Sequence, residues 1–168
     1  KVFLLYLATM MIPFEVTLLP NFVLIHRLGW YDTYAALIVP WTANAFSIFF
    51  VTRILERLPR EMYEAARLDG CGDLRFLWSV GLPMIRPALV TIGLYTFIGS
   101  WNAFLWPLIA TSRPELSVVQ KGLAAFMQEA GTHYHLLMAA AALTILPVIV
   151  IFVAAQRWFQ QGAEYMTA

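Results

Sequence analysis

Long apolar runs alternate with short polar stretches along the chain. Residues 33–52, 87–110 and 136–156 contain no charged side chain, and each run reaches the roughly 20 residues with which a helix crosses a bilayer core of about 30 Å. A fourth run, 2–25, is interrupted by Glu15 and is interpreted as a span whose far end reaches the membrane interface. The pattern therefore predicts an all-α, polytopic transmembrane helical bundle with four spans, at about 2–25, 33–52, 87–110 and 136–156.

Two prolines lie inside these runs, Pro40 and Pro147. A proline inside a helix leaves a carbonyl without its N–H donor, and membrane helices tolerate this where a neighbouring helix supplies another donor. We therefore expect both prolines to be accommodated within the bundle.

Composition supports a membrane protein. The chain is 61% hydrophobic and 12% charged, about half the roughly 25% charged residues of a soluble domain. A soluble protein with buried helices is therefore disfavoured, and membrane lipid is the expected surroundings. The net charge of +1 offers no basic stripe for phosphates, which argues against a nucleic-acid partner. The single cysteine, Cys71, excludes an internal disulfide.

Basic residues indicate the orientation of the spans, because cytoplasmic loops carry an excess of Lys and Arg. If residues 53–86 face the cytoplasm, eight basic residues lie on that side and three on the other. Residues 111–135 then form an extracytoplasmic loop, and both ends of the chain are cytoplasmic. The eight are Lys1, Arg53, Arg57, Arg60, Arg67, Arg75, Arg86 and Arg157, and the three are Arg27, Arg113 and Lys121.

The loop 53–86 has the pattern of two short helices joined by a bend. Pro59 suits the first position of a helix, Gly70 can adopt the left-handed conformation that ends one, and Asp73 has the character of an N-cap for the second. Glu64 can pair locally with Arg60 or Arg67.

The same loop carries a spaced motif. It consists of Glu64-Ala65-Ala66, three further residues, Gly70, nine further residues, and Val80-Gly81-Leu82-Pro83. This spacing resembles the EAA loop of bacterial ABC import permeases. Additional segments are similar to the maltose-type, carbohydrate-uptake permeases: Met11-Ile12-Pro13, Asp69 before Gly70, Gly99-Ser100-Trp101-Asn102, Leu105-Trp106-Pro107 and Leu146-Pro147. Cys71-Gly72 departs from the small residues more usual after the glycine, and Gly72 is expected to loosen the bend.

The resemblance implies a single permease domain over 1–168 that forms half of a translocation pathway in the bacterial inner membrane. Its implied partners are a second homologous permease subunit, a separate cytoplasmic ATP-binding-cassette ATPase and an extracytoplasmic solute-binding protein. Two more spans are expected before Lys1, since such permeases usually have six. No Gly-rich phosphate loop appears in the sequence, so neither a cofactor nor enzymatic activity is expected here. The implied ATPase-coupling residues are Glu64, Ala65, Ala66, Asp69, Gly70, Leu82 and Pro83.

Polar residues inside predicted spans are candidates for the pathway. The amides and aromatic rings of such a set suit sugars, although interhelical hydrogen bonding is an equally ordinary role for them, and the sequence leaves both interpretations open. The candidates are Asn44 and Ser47 in the second span, and Ser100, Trp101 and Asn102 in the third. Trp106 and Trp158 are interpreted instead as aromatic anchors at the membrane interface.

The loop 111–135 is longer than a usual connection, and its apolar positions predict a short amphipathic helix. We expect Leu123, Phe126 and Gln128 to contact the solute-binding protein, and a helix lying on the membrane surface is the alternative. His133 and His135 would diverge on a helix and lack a third ligand, so exposed histidines, and no metal site, are expected.

Two other classes of membrane protein compete with this interpretation. A secondary transporter could use Glu15 as an ion relay, but it leaves the motif spacing to chance. A membrane-embedded enzyme requires an acidic or histidine cluster that the spans lack. The identity of the solute stays open among sugars, oligosaccharides, polyols and glycerol phosphate.

Overall fold

The computed structural model describes residues 8–127 and 133–167, with side chains described as far as residue 156. The regular structure in these ranges is helical, which confirms the predicted all-α class. Two short 3-10 turns, Val39–Trp41 and Pro114–Leu116, and one π-helical segment, Leu77–Gly81 within the helix Asp73–Met84, accompany the α-helices. The helices are α1 (Phe14–Arg27), α2 (Tyr34–Ile38), α3 (Ala45–Leu55), α4 (Arg60–Leu68), α5 (Asp73–Met84), α6 (Arg86–Trp101), α7 (Leu105–Ala110), α8 (Val119–Ala124) and α9 (Tyr134–Thr167).

Within the described ranges, two helical stretches are long and apolar enough to cross a membrane, Tyr34–Leu55 and Tyr134–Gln156. A third is obtained only if α5 and α6, which meet at an angle of 77°, count as one bent span. The four predicted spans are therefore not confirmed. The predicted first span begins in residues 1–7, outside the described part, and α1 starts only after Pro13.

The predicted span 87–110 is not one continuous helix, which corrects the sequence interpretation. In a continuous α-helix, residue 107 would donate its N–H to the carbonyl of Ala103. Pro107 has no N–H, and its ring would clash with that carbonyl. Helix α6 accordingly ends at Trp101, and α7 begins at Leu105.

The predicted span 33–52 is also interrupted, between α2 and α3, and Pro40 explains the interruption. Residue 40 would normally donate to the carbonyl of Ala36, and proline cannot do so. The indole Nε1–H of Trp106 donates to that carbonyl instead, at 2.9 Å. This confirms the expectation that another helix satisfies the carbonyl freed by Pro40. In α9 the helix continues through Pro147.

Trp106 lies in a small core, not at the membrane interface as predicted. Only 3% of its surface is exposed, and it packs with Ile25 of α1, Ala36 of α2 and Ala110 of α7. The ring of Trp41 approaches it with centroids 6.3 Å apart. The interpretation of Trp106 as an interfacial anchor is therefore wrong, because its N–H is needed inside the fold. The side chain of Trp158 lies outside the described residues.

Helices α6 and α9 form a second pair beside this core. They pack against each other, and the indole Nε1–H of Trp101 donates to the carbonyl of Thr144 at 3.1 Å. Much of the apolar surface of α9 has no cover within the described chain, including Leu143, Val150 and Phe152. Exposed apolar surface of this extent is expected where lipid or another membrane subunit surrounds a helix.

Candidate coupling and pathway sites

Gly70 ends α4 in the conformation that the sequence predicts. Its φ is +75°, a left-handed value that costs an L-residue with a Cβ about 1–2 kcal/mol. The N–H of Gly70 donates to the carbonyl of Arg67 at 3.0 Å, and the N–H of Cys71 donates to that of Ala66 at 2.9 Å. These two bonds are the Schellman arrangement, which satisfies the carbonyls at a helix C-terminus. The turn after the Glu-Ala-Ala motif is therefore fixed by local chemistry.

Asp73 ties the second helix of the loop back onto the first. Its Oδ1 accepts from the hydroxyl of Tyr63 at 2.8 Å and from Nη1 of Arg67 at 3.2 Å. The hydrogen bond to this carboxylate raises the pKa of the Tyr63 phenol, because losing the proton would break it. Asp73 is the first residue of α5 and Gly72 precedes it as the cap, so the predicted N-cap role of Asp73 is wrong. Pro59 is likewise the cap before α4, not its first residue.

The motif residues of α4 are accessible. Glu64 and Ala65 are exposed and Ala66 is half-buried. Arg67 pairs with Asp73, so the predicted local pairing with Glu64 is not the one formed. Three large apolar side chains are also exposed nearby, Leu68 by 90%, Leu74 by 76% and Trp78 by 70%. A free carboxylate beside small and apolar side chains is a surface suited to contact with another protein.

Helix α5 lies beside the end of α3 at Gly81. Gly81 is buried, and a Cβ built there would lie 3.6 Å from Cδ2 of Leu55, in the last turn of α3. Ile85, at the bend between α5 and α6, is only 3% exposed. Leu82 is half-buried and Pro83 is exposed, and both lie in the last turn of α5. The loop thus touches α3 on one side and continues into α6 on the other.

Asn44 and Ser47 lie together, but in a local arrangement. Asn44 is the N-cap of α3, and its Oδ1 accepts from the backbone N–H of Ser47 at 3.1 Å. This is the standard hydrogen bond of a helix N-terminus. Asn44 therefore has a structural role that the sequence interpretation did not include.

Trp101 and Asn102 border a pocket of about 280 Å³. Gln120, in α8, reaches this pocket, where its Nε2 lies 3.3 Å from Oδ1 of Asn102 and 3.4 Å from the carbonyl of Trp101. Thr144 of α9 lines the opposite wall. Among the described residues the lining carries no charge, and it combines two amides, one hydroxyl and an indole ring with the aliphatic side chains of Ala141, Ile145 and Val148. Gln120 was missed because its partners lie far from it in sequence.

Ser100 faces a different space. It borders a second pocket of about 290 Å³ with Phe97, Ser117 and Val118, and Trp101 separates the two pockets. Asn44 and Ser47 line neither of them. The five predicted pathway residues are thus not brought into one site within the described chain.

A second feature missed by the sequence interpretation joins residues 28–33 to the segment after α7. Asp32 Oδ1 accepts from the backbone N–H groups of Ser112 and Arg113 at 2.8 and 3.0 Å, and Oδ2 accepts from Arg113 Nε at 3.0 Å. The hydrogen bonds from the Arg113 and Ser112 N–H groups, with the guanidinium charge, lower the pKa of Asp32. The backbone of Asp32 has a positive φ of 58°, which Asp tolerates better than most residues.

Residues 111–127 of the predicted 111–135 loop contain a short helix, as the sequence predicts. Its helix α8 covers only Val119–Ala124, and Leu116 is buried in a preceding 3-10 turn. Lys121 Nζ donates to the carbonyl of Thr111 at 3.0 Å. Leu123 and Phe126 are half-buried, so neither presents a fully free face. Gln128 lies outside the described residues.

The remaining candidate residues form no site in the described ranges. His133 and His135 are exposed with ring centroids 6.0 Å apart, and His135 lies within α9. No group of three or more possible metal ligands occurs among the described residues. Glu15 is exposed in the first turn of α1.

Comparison with known proteins agrees with the motif. Residues 2–165 match the family described as "Binding-protein-dependent transport system inner membrane component". The chain belongs to this family. The arabinooligosaccharides transport system permease protein AraQ of Halalkalibacterium halodurans is 36% identical over 160 residues, covering 95% of this chain and 57% of the relative. The sn-glycerol-3-phosphate transport system permease protein UgpE of Yersinia pestis is 36% identical over 162 residues, covering 95% and 58%.

Membership of this family decides between the three classes of membrane protein considered above, an import permease, a secondary transporter and a membrane-embedded enzyme. Together with the apolar stretches Tyr34–Leu55 and Tyr134–Gln156, it identifies a multi-pass inner-membrane protein and confirms the resemblance drawn from the loop motif. The family consists of transport components, so a secondary transporter and a membrane enzyme are not favoured. The chain spans about 57% of the length of the AraQ relative.

Proposed function

We propose that this chain is a membrane-spanning part of a binding-protein-dependent ABC importer for a carbohydrate or a related hydroxylated solute. It would form half of the pathway with a second homologous permease subunit and couple to a separate ATPase in the cytoplasm. The family match supports the class of transporter. The two relatives, named for arabinooligosaccharides and sn-glycerol-3-phosphate, support hydroxylated solutes as the substrate class.

The observation that carries the coupling role is the rigid and accessible form of α4. Glu64 and Ala65 are exposed, while the helix end behind them is held by the Gly70 turn and by the bonds from Tyr63 and Arg67 to Asp73. A short helix held in this way can bind a partner surface without first becoming ordered, which lowers the entropic cost of docking. We infer that the ATPase binds this helix through Glu64 and the Ala65–Ala66 pair, with Asp69 and Gly70 shaping its end.

Motion of that helix has a direct route to the spans. The side chain of Leu55, at the end of α3, lies beside Gly81 of α5, and Leu82 and Pro83 lead through the 77° bend into α6. Closure of an ATPase against α4 would therefore act on both helices that flank the loop. This is the rigid-body type of transition that bistable packed interfaces support.

The remaining assignments follow from the proposed orientation, with the loop 53–86 and both chain ends in the cytoplasm. Loop 111–127 then lies outside, where it can meet a solute-binding protein through Leu123 and Phe126, with Gln128 beyond the described part. The pocket at Trp101 and Asn102 lies on the same side, and it suits an uncharged group because no charged residue among those described lines it. Asn44, Ser47 and Ser100 are expected to line the pathway only together with the second permease.

The test is cross-linking combined with uptake in the assembled transporter. Ala65→Cys in a Cys71→Ser background should form a cross-link to the ATPase with a short bismaleimide. Glu64→Ala should lose uptake, because losing a charged contact at a protein interface costs about 2–5 kcal/mol. Glu61→Ala is the matched control, since Glu61 is equally exposed in the first turn of α4. Unchanged uptake with Glu64→Ala at equal membrane levels would refute the coupling role.

A further inference from the structure

Helix α5 carries two large apolar side chains that nothing in the described chain covers. Leu74 and Trp78 are one helical turn apart, and 76% and 70% of their surface is exposed. No hydrogen bond or ring contact with a described residue engages the indole of Trp78. Of the three exposed apolar side chains near the motif, only Leu68 belongs to α4. Leu74 and Trp78 therefore form a separate surface on α5.

This surface is turned away from α4, which lies against the other side of α5. The ring of Phe76 meets that of Tyr63 on α4 with centroids 5.1 Å apart, and Asp73 accepts from the Tyr63 hydroxyl. At 3.6 residues per turn, the positions two before and two after Phe76 lie about 200° away around the helix. Leu74 and Trp78 occupy these positions, and the wider π-helical turn that follows Phe76 changes the angle only slightly.

Helix α5 runs across the direction of the membrane helices. Helix α6 packs against α9, whose segment Tyr134–Gln156 is long and apolar enough to cross a membrane, and α5 meets α6 at 77°. Even with the usual tilt of about 20° for a membrane helix, α5 runs closer to the membrane plane than to its normal. Leu55 ends the apolar stretch Tyr34–Leu55, and its side chain lies beside Gly81 of α5. Helix α5 is therefore at the level where the chain leaves the membrane.

The charges of α5 suit a lipid surface. Arg75 is exposed and forms no ion pair with a described residue, whereas Asp73 is already bound to Tyr63 and Arg67. No acidic residue follows Asp73 until Glu115. An arginine beside apolar side chains can reach headgroup phosphates while its stem stays on the apolar surface. Tryptophan is enriched at the same depth, because its ring is apolar and its N–H is polar. These are the features of an interfacial amphipathic helix.

We propose that α5 lies on the bilayer surface, with Leu74 and Trp78 inserted among the lipid headgroups and Arg75 at their phosphates. The lipid then holds the second helix of the loop, while the first helix, α4, stays free for another protein. This inference rests on the embedding of α6 in the membrane and not on the proposed coupling to an ATPase. A cover formed by the ATPase or by the second permease subunit would contradict it.

Photo-crosslinking identifies what covers this surface. Benzoylphenylalanine in place of Trp78 keeps an aromatic side chain and inserts into nearby C–H bonds on illumination. In the assembled transporter in nanodiscs of phosphatidylethanolamine and phosphatidylglycerol, mass spectrometry should find lipid adducts at this position. The same probe in place of Leu68, which is 90% exposed at the end of α4, is the matched control and should give far fewer. Adducts to ATPase or permease peptides at position 78, or equal lipid yields at both positions, would overturn the proposal.

A depth measurement tests the lipid contact while keeping Trp78. A spin label at Leu74→Cys, in a Cys71→Ser background, should collide more often with oxygen, which concentrates in lipid, than with a water-soluble nickel chelate. A label at Glu61→Cys, exposed in the first turn of α4, should show the reverse. Preference for the chelate at position 74, or protection there from both reagents, refutes the lipid contact. If Glu64→Ala leaves uptake unchanged while the position 74 label reports lipid, the coupling role fails and the lipid contact stands.

Discussion

Asp32 and Arg113 lie 81 residues apart in the sequence and form an ion pair with Nε and Oδ2 separated by 3.0 Å. The same carboxylate accepts both backbone N–H groups at the start of the 112–113 turn. One side chain thus orients a backbone turn and a guanidinium together, and it fixes loop 111–127 to the segment before α2.

Removing the Asp32 carboxylate should loosen this loop. Asp32→Ala loses three acceptor contacts, so trypsin should cut after Lys121 several-fold faster than in the unaltered protein. Asp32→Asn should be intermediate, because its oxygen can still accept an N–H and Asn tolerates a positive φ. Glu115→Ala, at an exposed position of the same loop, is the control. Equal cleavage rates for Asp32→Ala and Glu115→Ala would contradict the anchoring role.

The contacts of the Asp32 carboxylate with Ser112 and Arg113 should weaken at low pH. The folded pKa of Asp32 is lower than the ordinary value of 3.8, so the folded state binds this proton more weakly than the unfolded state does. The stabilising contribution is therefore present above the ordinary value of 3.8 and is lost as the pH falls from there through the folded pKa. Amide exchange protection at Ser112 and Arg113 should decrease in that window, and the decrease should be absent in Asp32→Asn.

The two glycines after α4 should differ in their tolerance of alanine. Gly70 has φ +75° while Gly72 does not have a positive φ, and a Cβ at either position meets no atom within 4 Å. Gly70→Ala should thus cost about 1–2 kcal/mol through backbone strain alone, and Gly70→Pro should break the turn. Gly72→Ala should be neutral or slightly stabilising. Thermal unfolding in detergent and uptake measure both effects, and equal losses for the two alanine variants would exclude the strain argument.

The coupling loop could be predicted from sequence because its structure is determined locally. A helix, a left-handed glycine and a second helix follow from residues within a few positions of each other, and Gly70 adopts the predicted conformation. The prediction that Gly72 loosens the bend is not tested by the structure. The first residues of α4 and α5 differ from the prediction by one position, since α4 begins one residue later and α5 one residue earlier.

Features that depend on distant partners could not be predicted in the same way. The freed carbonyl expected near Pro40 exists, but nothing in the sequence indicates that Trp106 would satisfy it. An indole in an apolar run looks the same at an interface and in a core, which is why the anchor interpretation failed. Asp32 and Gln120 were overlooked for a related reason: a single polar residue in a loop has no pattern that reveals its partner.

Two substitutions of Asn44 distinguish its role as a helix cap from a role in the transport pathway. Asn44→Ala should cost about 1 kcal/mol in thermal stability, because the N-cap bond to Ser47 is lost. Asn44→Asp keeps the cap and adds a charge. If Asn44 also lines the pathway, the Asp variant should keep stability and change uptake of a neutral sugar. Normal uptake and stability together would restrict Asn44 to its capping role. Ser47→Ala is the control for stability alone, since Ser47 contributes its backbone N–H to the cap.

The hydrogen bond from the Trp106 indole to the Ala36 carbonyl should contribute to the stability of the fold, because Pro40 leaves that carbonyl without a backbone donor. Trp106→Phe keeps most of the buried ring but removes the N–H that donates to the Ala36 carbonyl at 2.9 Å. A buried acceptor left without a donor costs about 1–3 kcal/mol, so the melting temperature in detergent should fall. Trp106→Ala should cost about 3–5 kcal/mol, since the core around Ile25 and Ala110 would also lose its largest side chain.

Restoring an N–H at position 40 should compensate for the missing indole. Pro40→Ala provides a backbone donor in helical register with the Ala36 carbonyl, so Trp106→Phe should be less destabilising in that background than alone. Interacting residues show such non-additivity, whereas independent sites add within about 0.3–0.5 kcal/mol. Pro147→Ala is the matched control, because Pro147 lies in α9, away from this core. If Trp106→Phe has the same effect in the unaltered chain, in the Pro40→Ala background and in the Pro147→Ala background, then the indole does not replace the donor that Pro40 lacks.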